Sequence, residues 1–226
     1  MLGRDPRYLP DVRRKPPAAY GFACLLAGAV AGCQAFLSFD AERDAASAGG
    51  PSDAGAPDTS PIAPEGARYV FVTSGTHDGD LAAIAGAHAG FCEQYAQAGR
   101  PELRGRKFVA LIGIPGKTTT QRIPDAPEGF RTPDGQLVTS SARLVGTLEF
   151  PLRRDQNGML IEAGAKAWTG LDEAAIPTAK TCAIWTDPFT FLGGVGAVGG
   201  EGSTWIRVSD ELCSGRHHLY CVEVPP

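Results

Sequence analysis

The pattern of apolar and polar positions divides the chain into an apolar run near the N-terminus, a long polar stretch and a C-terminal region with regular periods. In that last region a dense run of β-branched and aromatic residues covers 69–73, which is typical of a buried strand. Apolar positions then recur every three or four residues at Leu81, Ile84, Phe91, Cys92 and Tyr95. This period predicts an amphipathic helix that is capped near Asp78 or Asp80 and ends at Gly99.

Short runs of strand-like composition follow this helix. They cover residues 107–113, 143–150, 159–162, 182–186, 204–208 and 218–224. The segment 186–202, which is glycine-rich from Gly193 to Gly202, is predicted to lack regular structure and to form a long loop. One or two helices followed by many short strands is typical of an α+β domain.

The first 32 residues have the features of a targeting signal. Their basic residues come first: Arg4, Arg7, Arg13, Arg14 and Lys15. Small and apolar residues then cover 18–32, a run too short to span a bilayer comfortably. It ends in Val-Ala-Gly before Cys33, which resembles the bacterial lipobox. We therefore predict a lipoprotein signal peptide over 1–32 and lipidation of Cys33, although a buried Ala/Gly-rich helix with an incidental cysteine is the alternative.

The polar stretch that follows separates this signal from the C-terminal region. Residues 38–66 are almost entirely Ala, Gly, Ser, Pro and Asp, so they have too little apolar surface to offset the entropy of ordering. We predict a lipidated cysteine and disordered tether over 33–66, and a single domain over 67–226. The expected location is the cell envelope, with the protein attached to a membrane, the outer one by preference, through its lipid.

Composition and charge narrow the function classes. The 226 residues are 43% hydrophobic and 20% charged, as in ordinary globular chains. The formal net charge is -4, and the arginines do not cluster among aromatic residues. Nucleic acid is therefore not an expected partner.

The cysteines indicate disulfide bonds. Of the six cysteines, Cys24 lies in the predicted signal and Cys33 is the predicted lipid site. The domain keeps four: Cys92, Cys182, Cys213 and Cys221. In an oxidising compartment an even number suggests two bridges, with three pairings open. Free buried cysteines or a zinc site are the alternatives, and the zinc site is disfavoured because the usual C-x2-C spacing is missing.

The spacing of these cysteines and of two tryptophans resembles that in C-type-lectin-like domains. Cys213 and Cys221 enclose seven residues, like the closing cysteine pair of that fold. Counterparts of its Trp-x-Gly-Leu motif and second marker tryptophan stand at Trp168, Gly170, Leu171 and Trp205.

Residues 68–226 as a whole are similar to a bacterial lipoprotein family of unknown function, which is grouped with the endostatin and C-type-lectin-like folds. Their opening Val-Phe-Val-Thr-Ser at 70–74 and closing His-Leu-Tyr-Cys at 218–221 carry that likeness. The resemblance implies a C-type-lectin-like fold with short, mostly antiparallel strands. It also implies the bridges Cys92–Cys221 and Cys182–Cys213.

The resemblance does not extend to calcium-dependent sugar binding. That activity needs a calcium ion held by several carboxylate and amide oxygens. In lectins most of these oxygens come from an acidic triplet with a central proline and from an Asn-Asp pair after the second tryptophan. Here Trp205 is followed instead by Ile206 and Arg207. We expect no metal and no cofactor.

Other candidate chemistry has a simpler structural explanation. Residues 113–118 resemble a phosphate loop, but Leu111 stands where the motif needs glycine, and the prolines at 124 and 127 disfavour the helix that should follow. Ser74, His77 and Asp78 lie close in sequence without an oxyanion-hole motif. His88 is expected to be a structural residue of the helix. His217 and His218 are neighbours whose side chains point to opposite faces of a strand, so they cannot readily share an ion.

The long loop is the remaining candidate site. In lectin-like folds the matching region carries ligands, so Phe189 and Phe191 are candidate anchors, unless they only cap the core. Trp168, Trp185 and Trp205 are expected in the core. The resulting hypothesis is a calcium-independent binding or adhesion domain for a protein or glycan, without catalytic residues. An envelope enzyme on the same scaffold and a structural envelope protein are the alternatives.

Overall fold

The computed structural model describes residues 63–81 and 90–226 as a sheet-rich α+β domain. The predicted signal, Cys33 and most of the tether lie outside the described residues, as does His88. The eight strands are β1 Arg68–Val72, β2 Lys107–Ala110, β3 Phe130–Arg131, β4 Leu137–Thr139, β5 Lys166–Trp168, β6 Leu192–Ala197, β7 Ser209–Leu212 and β8 His218–Val224. The helices are α1 Gly90–Ala98 and the single turn α2 Thr119–Arg122, with a 3-10 turn at Pro101–Leu103. None of the helices in these two ranges is long and apolar enough to cross a membrane.

The last strand is the centre of the sheet. The strand order is β4-β3-β1-β8-β5-β6-β7, and β2 also pairs with β8. Only β1 with β3 and β5 with β8 run parallel, while the other pairs are antiparallel. The first and last strands are therefore neighbours, with Phe71 opposite Cys221.

Apolar side chains cover both faces of the central strands. Along β1, Val70 and Val72 belong to one hydrophobic cluster, whereas Tyr69 and Phe71 belong to the other. The alternation continues in β8, because successive side chains of a strand point to opposite faces. Both clusters are fully buried there, which explains why the sequence of β1 is apolar without interruption.

Helix α1 is fastened to the central strand by a disulfide. Cys92 lies on the buried side of α1 and is bonded to Cys221 in β8, at a Cα–Cα distance of 5.4 Å. The second bridge joins Cys182 to Cys213, with 5.6 Å between their Cα atoms. Both bridges agree with the pairing that the resemblance implied.

The strongest strand and helix predictions are confirmed. Strand β1 lies where the run at 69–73 predicted it, and β8 covers 218–224 as expected. Strand β2 occupies the first part of 107–113. Helix α1 ends immediately before Gly99, as predicted, while residues 82–89 of the predicted helix are outside the described residues.

Three other strand predictions are wrong. Residues 143–150 contain no strand; Gly146 has a φ of 71° and Leu144 is buried as an irregular segment over the core. Residues 159–162 make only the isolated bridge from Leu160 to Arg154. Residues 204–208 form turns in which the Ile206 amide donates to the Ser203 carbonyl. In these three segments apolar side chains contribute to packing, but no neighbouring strand is placed to form a continuous set of backbone hydrogen bonds with them.

Residues 182–186 are also not a strand. Cys182–Trp185 form one tight turn in which all four residues have a positive φ, between 47° and 62°. Such left-handed backbone costs roughly 1–2 kcal/mol per residue for side chains with a Cβ. It persists here because Cys182 is tied to Cys213 and because the buried Trp185 donates its indole N–H to the Gly113 carbonyl at 2.8 Å.

The prediction that residues 193–202 lack regular structure is wrong as well, since β6 runs through Leu192–Ala197. Its glycines are needed for close approach. A Cβ on Gly193 would meet the Trp168 ring, and one on Gly196 would overlap the backbone carbonyl of Trp205. Glycine therefore allows this strand to lie directly against the two tryptophan-bearing segments.

Candidate functional site

Exposed apolar side chains lie on the segments that the Cys182–Cys213 bridge joins and at the adjoining end of the sheet. We call this group the phenylalanine patch, and its members are Ile184, Phe189, Phe191, Leu192 and Leu212. Phe189 is 80% exposed and Phe191 49%. Large apolar side chains exposed next to one another, rather than singly, are typical of interaction sites.

Strand pairing places Leu192 and Leu212 on one face of the sheet edge, and Phe191 with the bridge on the opposite face, because successive side chains alternate. Leu192 in β6 lies directly opposite Leu212 in β7, and β7 ends the strand order. The Cys213 amide donates to the Phe191 carbonyl at 3.0 Å, which places Phe191 beside the disulfide. Ile184 reaches the surface from the left-handed turn of Cys182–Trp185.

A carboxylate shapes the loop between that turn and β6. Asp187 accepts hydrogen bonds from the Thr190 hydroxyl at 2.5 Å and from the Phe189 amide at 2.7 Å. The hydrogen bond from Thr190 and then that from the Phe189 amide lower the pKa of the Asp187 carboxyl. The ionised side chain thus closes a local turn that leaves the Phe189 ring in solvent.

The motif residues of the sequence analysis lie in the core. Trp168, Trp185 and Trp205 are fully buried, as expected, and each indole N–H donates to a backbone carbonyl. Gly170 has a φ of 58° and touches Trp185, while Leu171 is buried. These residues build the fold and are inaccessible to a ligand.

A second feature is a shallow depression beside α1. It has a volume of about 200 Å³ and is lined by His77, Phe91, Gln94, Tyr95 and Ala98. The Tyr95 hydroxyl lies 3.2 Å from His77 Nε2. Burial raises the pKa of Tyr95, although a hydrogen bond from the Gly75 amide opposes that effect. Burial and then the positive charge of Arg216 lower the pKa of His77, so the ring is neutral at pH 7.

This depression does not form a nucleophile and base pair with Ser74. The Ser74 hydroxyl accepts from the Gln156 side chain at 2.7 Å, and His77 Nε2 is directed at Tyr95 instead. His217 and His218 diverge as predicted: His217 stacks edge-on against Trp168 at 4.5 Å between ring centroids, whereas His218 Nδ1 lies 2.7 Å from the Thr73 carbonyl.

The segment that resembles a phosphate loop is a surface turn. A bridge between Ile114 and Lys117 closes it. Contrary to expectation a helix does follow, but α2 is a single turn whose first amides are capped by Thr118 and Gln121. The Thr118 and Gln121 amides are already hydrogen-bonded to side chains of this four-residue helix and its N-cap. They are therefore not free to bind an anion.

Carboxylates do not converge on a cation site in the described part of the chain. Within 63–81 and 90–226 there is no group of three or more His, Cys, Asp or Glu side chains that could hold a metal. Asp187 is used within its own loop, and Asp210 pairs with Arg207 at 2.6 Å.

Sequence reasoning found Phe189 and Phe191 but missed the rest of the patch. Leu192 was assigned to a loop, and Leu212 lies in a strand of mixed composition, Ser-Asp-Glu-Leu, that carries no clear strand signal. Only the pairing of β6 with β7 identifies them as neighbours. No known family model matches the chain, and no curated protein matches it at a significant level.

Proposed function

We propose that this chain is a lipid-anchored protein of the cell envelope whose C-terminal domain binds a protein or glycan without calcium. The observation that carries the proposal is the phenylalanine patch. Phe189 alone leaves most of a large ring in water, which costs free energy unless a partner covers it. Exposed aromatic residues of this kind are the usual anchors of binding interfaces.

We further propose that the domain has a C-type-lectin-like fold. Three features support this proposal: the bridge from α1 to the last strand, the second bridge across the 182–213 segment, and the pairing of the first strand with the last. The buried Trp168 and Trp205 agree with the roles that the resemblance gives them. Fold alone does not determine function, so the binding proposal depends on the patch.

Replacing Phe189 and Phe191 together by alanine should weaken partner binding by at least about tenfold, because each buried aromatic anchor contributes more than about 1 kcal/mol. The free energy of unfolding should change by less than about 1 kcal/mol, since Phe189 is largely in solvent and Phe191 is about half exposed. The measurement is binding of the full chain, purified in detergent, to an array of glycans and envelope proteins. Urea unfolding of the same samples gives the stability.

The matched control is the double substitution of Met159 and Leu160 by alanine, which removes two exposed apolar side chains from another surface. It should leave binding unchanged. Millimolar calcium should alter neither binding nor the melting temperature of the unmodified chain. Severe destabilisation of the phenylalanine variant with intact affinity would contradict the proposed site, and a rise of several degrees with calcium would contradict calcium independence.

The anchor is tested separately at Cys33. The alanine variant should carry no lipid and should keep its signal peptide, because lipoprotein signal cleavage depends on the lipidated cysteine, so it should migrate as the longer precursor. Globomycin, which blocks lipoprotein signal cleavage, should make the longer precursor of the unmodified chain accumulate. Processing of the alanine variant to mature length, together with normal processing of the unmodified chain in globomycin, would refute lipidation.

A further inference from the structure

A short segment connects the histidines to the base of the phenylalanine patch. We call residues 76–81 the strap. At one end, the His77 amide donates to the His217 carbonyl at 2.8 Å, and the His217 amide donates back at 2.9 Å. The same His77 carbonyl accepts from the Trp168 indole at 2.8 Å. One backbone unit of the strap is thus fastened both to β5 and to the residue that precedes β8.

The other end of the strap lies against the turn that carries Ile184. The Gly79 amide donates to the Cys213 carbonyl at 2.7 Å, and the Leu81 amide donates to the Trp185 carbonyl at 3.0 Å. A Cβ on Gly79 would collide with both cysteines of the bridge, so the strap packs directly on this disulfide. Movement of the strap would therefore remove support from the left-handed turn beneath the patch.

Ionisable groups from neighbouring segments lie around His77, and the Phe91 ring packs against it at 4.1 Å between ring centroids. Tyr95 in α1 contacts Nε2, Arg216 binds the Thr76 carbonyl at 2.6 Å, and both Asp78 and His218 are near enough to affect the ring's charge. Nε2 of the neutral imidazole can accept the proton of the Tyr95 hydroxyl, which lies 3.2 Å away. Protonation of Nε2 removes that acceptor and places a second positive charge beside Arg216.

His217, which pairs with the strap at His77, also has a partly buried ring. Its ring packs on the buried Trp168, and its Nε2 is buried without a hydrogen-bond partner among the described residues. The ionisable groups around it are Glu211, Lys166 and His218, and the first two form an ion pair with each other. An added proton at Nε2 would be a buried donor without an acceptor, which is costly.

The direction of the pH effect follows from these surroundings. Burial is the main cause that lowers the pKa of both His77 and His217 below the ordinary histidine value. With a lowered pKa in the folded state, each ring stabilises the closed strap at pH values above about 6.5. That stability is lost as the pH falls from there through the folded-state pKa, because the open form binds more protons.

We propose that the strap is an acid-sensitive latch, which holds the base of the phenylalanine patch at neutral pH and is released when His77 and His217 become protonated. Its release frees the Gly79 and Leu81 contacts with the bridge and the turn. The effect on partner binding rests on the proposed function of the patch, whereas the opening of the strap does not.

The test is hydrogen exchange of the full chain at pH 7.5 and pH 5.0, with each rate corrected for the intrinsic effect of pH. Protection of the His77, Gly79 and Leu81 amides should fall by on the order of tenfold or more at pH 5.0. The Leu111 amide, which donates to the Tyr220 carbonyl in the central sheet, should keep its protection. Equal protection of the strap amides at both pH values would overturn the proposal, and so would a parallel loss at Leu111.

Substitutions test whether the pH response of the strap comes from the His77 and His217 rings. His77→Gln with His217→Gln retains a polar atom near each Nε2 but cannot be protonated, so strap protection should become independent of pH. His218→Asn is the matched control, because its amide can replace Nδ1 in the contact with Thr73 and the pH response should persist. A pH response that is unchanged in the double variant would refute the assignment.

Nuclear magnetic resonance of the unmodified chain provides a measurement that does not depend on folding of the variant. The titration midpoints of the His77 and His217 rings should coincide with the midpoint of strap opening, and separate midpoints would overturn the latch. The Phe189→Ala and Phe191→Ala double variant should retain the full strap response. Failure of the binding proposal would leave that response intact, so the two proposals are distinguishable.

Discussion

Replacing Cys92 and Cys221 together by alanine is expected to lower the free energy of unfolding by about 5 kcal/mol. The bridge joins residues 129 positions apart, so it restricts nearly the whole domain in the unfolded state. Few other single features of a domain contribute as much, since total stability is usually about 5–15 kcal/mol. Urea unfolding monitored by tryptophan fluorescence, under non-reducing conditions, measures the loss.

The second bridge is the matched comparison. Cys182 and Cys213 are 31 positions apart, and the same loop-entropy relation gives about 3.7 kcal/mol for their replacement by alanine. The first double variant should therefore be the less stable of the two. A larger loss from the second would show that holding the left-handed turn and the strap outweighs loop entropy. A loss below about 1 kcal/mol in the first would contradict the expectation.

Gly196→Ala is expected to destabilise the domain by about 3 kcal/mol or more, because overpacking against rigid backbone has no easy relief. In β6 this glycine lies opposite Ala167, and an added methyl group would overlap the Trp205 carbonyl. The collision is with backbone, so relief requires β6 to move away from the tryptophan segment. The midpoint of urea unfolding reports the effect.

Gly116→Ala separates this collision from the general cost of replacing glycine. Gly116 has a φ of 78° but open space around its missing side chain. Its replacement should cost only about 1–2 kcal/mol, through the left-handed backbone. If Gly196→Ala were no more harmful than Gly116→Ala, the close approach of β6 to Trp205 would be refuted.

The strap contacts the Cys182–Cys213 bridge, which lies beside the proposed binding patch. Gly79 rests on the Cys182–Cys213 bridge, and the same bridge holds the left-handed turn that exposes Ile184. The patch is therefore not an isolated loop, because a disulfide, a strained turn and a hydrogen-bonded strap all support it from below. Such support keeps exposed aromatic residues in a fixed arrangement, which lowers the entropy cost of binding.

Part of the fold could be predicted because its signals are local. Strands β1 and β8 are rich in β-branched and aromatic residues, and α1 has a period close to that of a helix. Phe189 and Phe191 were candidate anchors because their segment resembles the ligand-carrying loop of lectin-like folds, and the structure shows that they are exposed rather than capping the core. The strand and helix signals need no knowledge of which residues are neighbours in space.

The errors share one cause, which is that a residue type serves different purposes in different surroundings. The glycines of β6 indicated a loop, yet each allows close approach to Trp168 or Trp205. The apolar residues at 182–186 indicated a strand, yet the bridge to Cys213 holds them in a left-handed turn. Strand β7 has no clear signal of its own and exists through its pairing with β6.

The sequence by itself determined the α+β class, the polar stretch before the domain, the two terminal strands and the four cysteines available for bridges. Only the tertiary structure decided which exposed apolar side chains lie near Phe189 along the chain fold and that His77 of the strap pairs with His217 through an isolated bridge. The physical reason is that secondary-structure propensity and hydrophobic period depend only on residues close together in the sequence. The patch joins segments linked by a bridge of sequence separation 31, and the strap makes contacts with residues 91 or more positions away. The energies of such contacts depend on packing that no local pattern encodes.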